Sequence, residues 1–228
     1  SLKGHSSYLI LMALALFPKP ALFESVCSVA AVNDNNIAVD AFAQLQQLSL
    51  ISCDRGRYTM LSLTREYALS ELAINPEFES AARNRWVNWY VDFAQKYGGK
   101  DEKEWNDYHQ LAAEWENISE VMEWCITQDK YTDACNLWLY INCYTYSQGY
   151  RQNRLSYWDT PLHWLEWLIE AAQKRQDNRN TAGMMSDYAW KLILIGQPHH
   201  LKEADKLLST AWKLRQHLTA NEQANLGI

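Results

Sequence analysis

The chain predicts a mainly α-helical protein with one small β-hairpin near residue 55, and three observations carry that prediction. Glycine and proline are scarce, eight and five among 228 residues, so helix breakers are few. Through most of the sequence after residue 76, apolar residues recur at spacings of three and four, the period of helices buried along one face. Near residue 55, Asp54-Arg55-Gly56 separates Leu50-Ile51-Ser52-Cys53 from Tyr58-Thr59-Met60-Leu61. Gly56 supplies the positive φ of a tight turn, and the aromatic and β-branched flanks suit paired strands.

Taken in order, the first element is Tyr8 to Phe17, the longest apolar run. It is about half the length a membrane-spanning helix needs, so it reads as a core helix. Phe17-Pro18 ends it before a second helix begins. Ile37 to Ser49, with Phe42, Leu45 and Leu48 on one stripe, is a third helix, and the hairpin follows. Helices followed by a two-stranded flap form a winged helix, assigned to residues 1–75. Asn75-Pro76 interrupts the helical pattern and marks the boundary.

Residues 76–128 read as a helical linker. Trp86, Trp89, Tyr90 and Phe93 share a stripe of one helix, Gly98-Gly99 stops it, and a second helix starts near Lys103 and carries Leu111, Trp115, Ile118, Met122 and Ile126. Residues 129–228 then form helix pairs. Tyr131 to Gln148 is punctuated by Gly149, and Tyr150 to Thr160 is an extended connection or irregular helix. Pro161 to Lys174, Thr181 to Ile195 and a helix after Gly196-Gln197-Pro198 complete the series. Comparable second helices lie about 45 residues apart, longer than the roughly 34-residue tetratricopeptide period. The fold class is therefore mainly α, a winged helix followed by tetratricopeptide-like superhelical hairpins that stack to bury their faces.

Several chemistries find little support. Cys27, Cys53, Cys125, Cys135 and Cys143 are widely spaced with no Cys-x-x-Cys pair, and read as structural thiols of a reducing, cytoplasmic location. His199-His200 point about 100° apart on a helix with no third ligand near, so a polar helix start after Pro198 is favoured over a metal site. Glu114 with Glu116, and Asp101 with Glu102, read as polar helix faces, and no Ser-His-Asp or Cys-His arrangement has local context. No charged leader with a cleavage site opens the sequence, and no enzyme activity is expected of this segment.

Charge tests the DNA-binding reading of a winged helix. Residues 1–75 hold five Lys and Arg against six Asp and Glu, and Ile37 to Ser49, the helix that would enter the major groove, has one Asp and no cation. Phosphate contacts supply most non-specific affinity, so a protein-packing role is favoured. Arg55 and Arg57 of the wing are in reach of a phosphate or merely solvated.

Eleven Trp and thirteen Tyr are many for this length. Tyr140, Tyr144, Tyr150 and Trp158, with Arg151 and Arg154, are candidates for a protein- or ligand-binding surface, because Tyr, Trp and Arg are enriched in binding hot spots. Core and inter-repeat packing is the competing reading of the same aromatics.

The segment MLSLTREYALSEL, Met60 to Leu72, resembles the close of the winged-helix domain in STAND-type signal-transduction NTPases, the superfamily of plant resistance proteins, apoptosome ATPases and bacterial regulators. LAAEWENISEVMEWCITQ, residues 111–128, is similar to the pattern that opens the helical arm of the bacterial members. The resemblance implies a regulatory segment whose winged helix packs on a nucleotide-binding domain upstream in the same chain, with the arm sensing a signal or controlling assembly. It also implies ADP or ATP with Mg in that domain, because no Gly-x-x-x-x-Gly-Lys-Ser/Thr loop occurs among the eight glycines here and no cofactor is expected in this segment. The family's Met-His-Asp, whose His meets ADP, aligns with Met60, Leu61 and Ser62. Leu61 cannot donate to a phosphate oxygen, so that contact is absent from this position. Two alternatives stand beside this reading: a winged-helix transcription regulator with a helical ligand-binding domain, and a tetratricopeptide-like scaffold without a nucleotide.

Overall fold

The computed structural model describes residues 5–99, 108–152, 157–220 and 223. The protein is mainly helical, with ten α-helices and one small three-stranded antiparallel sheet among the described residues. It divides into two compact units: one runs to Phe93 and includes Ala112–Val121, and the other comprises Ala94–Leu111 and the chain from Met122 onward.

The first unit opens with α1 (Ser6–Leu14), whose Ile10, Leu11, Met12 and Leu14 are all buried, so it serves as a central core helix. Around it pack α2 (Phe23–Ala30), α3 (Asn35–Gln47) and α4 (Ser62–Ala73). Asp34 caps α3 by accepting the Asn36 and Ile37 amides at 2.9 and 3.0 Å. The sheet joins β1 (Ala21–Leu22), β2 (Ser52–Asp54) and β3 (Arg57–Thr59) in the order β1-β3-β2. Tyr58 lies opposite Ala21 on one side and Cys53 on the other.

The hairpin turn has Arg55 at φ 48° and Gly56 at φ 78°. Two positive φ values in a two-residue loop make the turn type that matches strand twist, so the hairpin read from Gly56 is present. Phe42 stacks at 4.3 Å on Tyr58 and 4.9 Å on Phe23, fastening the sheet to α3 and α2. The element order helix, strand, helix, helix, hairpin is that of a winged helix. β1 was not foreseen, since two residues carry no alternation.

Pro76 opens α5 (Pro76–Tyr97), where its missing N–H costs nothing. Trp86 meets Phe17 edge-on at 6.4 Å, and Arg85 donates Nε to the Val29 carbonyl at 2.8 Å, so the start of α5 packs on the winged helix. Residues 112–121 of α6 (His109–Thr127) belong to the same unit. Residues 103–107, where this helix was expected to start, lie outside the described residues, as do Asp101 and Glu102.

In the second unit, α7 (Tyr131–Gln152), α8 (Asp159–Lys174), α9 (Asn178–Ile195) and α10 (Pro198–Lys213) pack on one another in succession. Connections are short, and Asp129, Gln176 and Gly196 each adopt positive φ at a helix end. Two of these corners meet. Arg175 donates to Asp129 at 2.7 Å, and Tyr131 donates its hydroxyl to Asp177 at 2.8 Å, each partner 46 residues away. Equivalent corners in contact at that separation are what stacked helical repeats produce.

Gly149 corrects one expectation. It lies inside α7, and a β-carbon there would fall 2.1 Å from the Trp158 ring, so glycine is required for ring packing and not for a break. No described helix is long and apolar enough to cross a membrane.

Candidate functional site

The outer surface of the winged helix carries the residues on which the DNA-binding and nucleotide expectations turn. Helix α3 shows solvent Ile37 and Val39, both half exposed, beside Asp40, Gln44 and Gln47. The helix that would read a groove is uncharged apart from Asp40, as its sequence requires. Of the two wing arginines, Arg57 is committed inward: its Nη1 donates to the Pro20 carbonyl at 3.0 Å and to the Glu114 carboxylate. Arg55, at the tip, is the exposed one of the pair.

Met60, Leu61 and Ser62 form the corner between β3 and α4. Met60 is half-buried, whereas Leu61 is 72% exposed and Ser62 is also exposed. Leu61 continues into Leu63, 80% exposed, and then Tyr67 and Ile74, each more than half exposed. Leu63, Tyr67 and Ile74 recur at four and seven residues, so they share one side of α4. The opposite side, through Ala68 and Leu72, is buried against α1. A helix apolar on both sides is built to be covered twice.

Glu114 requires a correction: it was read as part of a polar face and is 2% exposed. Tyr90 donates its hydroxyl to Glu114 Oε2 at 2.7 Å, and Asn117 donates Nδ2 to the same oxygen at 2.9 Å. Burial, then the adjacent carboxylate, holds the Tyr90 hydroxyl well above its usual range, so it remains a donor. Glu116, by contrast, is exposed and pairs with Lys19 at 2.8 Å. Two identical carboxylates two residues apart gave no sign of which one turns inward.

The aromatic surface expected of the second unit is largely interior. Tyr144 and Trp158 are buried, Tyr144 edge-on to Tyr108 at 5.5 Å and Trp158 against Tyr146 and the backbone of Gly149, because Tyr108 covers the one ring and the missing side chain of Gly149 admits the other. Tyr140 is half-buried. The side chains of Tyr150 and Arg151, and all of Arg154, lie outside the described residues.

What the sequence did not suggest is a buried amine at that place. Lys191 of α9 is fully buried, donating to Asn142 Oδ1 at 2.6 Å with its ammonium 4.8 Å from the Trp138 ring and 4.2 Å from the Tyr146 ring. One turn earlier, Asp187 accepts the Trp138 indole N–H at 2.9 Å. Burial pulls the Lys191 amine down to about 8, against the opposing pull of Asp187. The signal available in the sequence was Lys191 interrupting an apolar stripe.

Burial also pushes the Cys27 and Cys135 thiols up to about 11 and Cys125 up to about 12, so these stay protonated and unreactive. His199 and His200 lie in the first turn of α10, and among the described residues no cluster of three His, Cys, Asp or Glu is placed to hold a metal.

No protein-family model matches the chain, and no solved structure matches it. Among curated proteins it is similar to the transcription activator GutR of Bacillus subtilis (strain 168), at 26% identity over 123 residues. That stretch covers 49% of this chain and 15% of GutR, so the match spans a minor part of that relative's length.

Proposed function

We propose that this chain is the regulatory and protein-interaction segment of a larger signalling protein of the STAND ATPase type. In this reading the winged helix packs on an upstream nucleotide-binding domain that holds ADP or ATP with Mg, and the helical array receives a signal or controls assembly. The protein acts in the cytoplasm, and this segment has no catalytic role of its own. One observation carries the reading: the winged helix combines a cation-free α3 with a bare apolar side of α4 at Leu63, Tyr67 and Ile74, beside an exposed Leu61 at the corner before it. Such a surface suits a protein neighbour and has little to offer a phosphate backbone. Similarity to part of a transcription activator supports a regulatory setting.

Limited proteolysis of the full-length protein with ADP and with a non-hydrolysable ATP analogue tests it. Protection of the Asn75-Pro76 joint in only one nucleotide state is expected. Equal cleavage in both states, or a full-length protein without a P-loop, removes the nucleotide reading.

A second reading, direct DNA contact by this winged helix, is favoured by the name of GutR alone. Titration with random duplex DNA across salt concentrations separates the two. A flat response at low salt eliminates DNA contact, and steep salt dependence establishes it.

A further inference from the structure

Within the first unit, four segments of chain meet around the Glu114 carboxylate, two of them bonded to it directly from outside its own helix. Arg57 brings β3, Tyr90 brings α5, and Asn117 lies one turn further along α6. The fourth segment is the corner after α1. Its Pro20 carbonyl shares the Arg57 guanidinium, and its Lys19 amide donates to Asn117 Oδ1 at 3.2 Å. Both Glu114 and Asn117 are almost wholly buried, so every hydrogen bond they lose leaves a polar group without water to replace it.

Elsewhere the wing is held by the pairing of β3 with β1 at Ala21 and Leu22 and by the Tyr58 ring against Phe42 and Phe23, while Ser52, Cys53 and Asp54 of β2 are all exposed. A hairpin of such short strands belongs to the low-stability end of a fold, where local opening precedes unfolding of the core. The Arg57 side chain is itself about one-quarter exposed, so solvent reaches the ion pair from one side. Helix α6 runs on unbroken from Glu114 to Thr127.

We propose that Glu114 is a positioning residue that latches the wing and the Lys19–Pro20 corner to α6, so that the two segments are released together when its bonds break. While the latch is closed, β3 follows any displacement of α6. When it is open, the hairpin moves together with β1 on its Tyr58 anchor and frees Arg57. This device stands on contacts inside one compact unit and does not depend on the nucleotide reading above.

Hydrogen exchange of this chain, followed by mass spectrometry on E114Q, R57Q and R57K, tests the latch. In E114Q and R57Q, amides of residues 52–59 and the Lys19 amide are expected to exchange about tenfold faster or more, whereas those of α1 and α3 stay within about twofold of the parent. R57K keeps a charge but cannot span both the Pro20 carbonyl and Glu114, and intermediate protection is expected. E116Q, which removes only the exposed Lys19 pair, should leave exchange unchanged.

Unchanged wing exchange in R57Q, or a uniform rise across α1 and α3 as a merely structural contact would give, overturns the proposal. Should E114Q fail to fold, R57Q decides alone, since its side chain lies at the solvent edge of the cluster.

Discussion

The Trp158 ring lies so close to Gly149 that a β-carbon on that glycine would fall 2.1 Å from Cζ2 and 2.2 Å from Cη2. The contact explains why a helix of 22 residues carries glycine near its end. Replacing glycine by alanine inside a helix ordinarily gains up to about 1 kcal/mol. Here the ring is confined by Tyr146 and Tyr157, at 6.4 and 6.0 Å, and cannot yield freely. Overpacking costs about 1–3 kcal/mol, so it outweighs the helix gain. G149A is expected to lower stability by that net amount in urea denaturation, with altered tryptophan fluorescence.

Lys191 makes stability depend on pH in the alkaline range. Its amine titrates near 8 in the folded protein against an ordinary 10.5, so between those values the unfolded chain carries the extra proton. Stability contributed by this group is therefore flat below pH 8 and rises as pH increases toward 10.5. The full gain is on the order of 3 kcal/mol. Denaturation of the parent and K191M at pH 7, 8, 9 and 10 should give a difference that grows in favour of the parent over this window. A constant difference would show that the buried amine does not lose its proton.

Helix α3 begins on Asp34, whose carboxylate holds two amides of the first turn. D34A removes both bonds at an exposed site, and a loss of about 1 kcal/mol in denaturant is expected. D34S, which can restore a cap, should recover most of it.

The bare side of α4 contributes little to the folded chain itself. Substituting L63Q, Y67S and I74Q together should change stability by no more than about 0.5 kcal/mol per site in thermal denaturation, because each side chain is mostly solvated already. In the full-length protein the same triple change should abolish the nucleotide-dependent protection of Asn75-Pro76. Protection that survives would mean the neighbouring domain seats elsewhere.

Local chemistry made much of the architecture legible. Gly56 between strand-forming residues announced the wing, Pro76 and Pro198 marked helix starts, and Gly196 marked an end, because φ constraints and missing N–H groups act within a few residues. The cation-free face of α3 was readable for the same reason, since charge is counted without coordinates. Buried polar groups were not. Glu114 and Glu116 look alike in sequence, and only the approach of Arg57 and Tyr90 from other segments makes one of them interior. Tyr144 and Trp158 were similarly ambiguous, as ring density indicates burial somewhere without saying which rings a neighbouring helix covers.

Periodicity and turn residues therefore determined that this protein is a winged helix followed by helix pairs, since those signals are short-range and repeat many times. Tertiary packing alone decided that Lys191 is enclosed by Trp138, Tyr146 and Asn142, that Gly149 serves a ring 9 residues further on, and that α4 keeps an uncovered apolar side. The reason is physical: burial of a polar or apolar group depends on which segments meet it in space, and that is a property of the whole chain's closure.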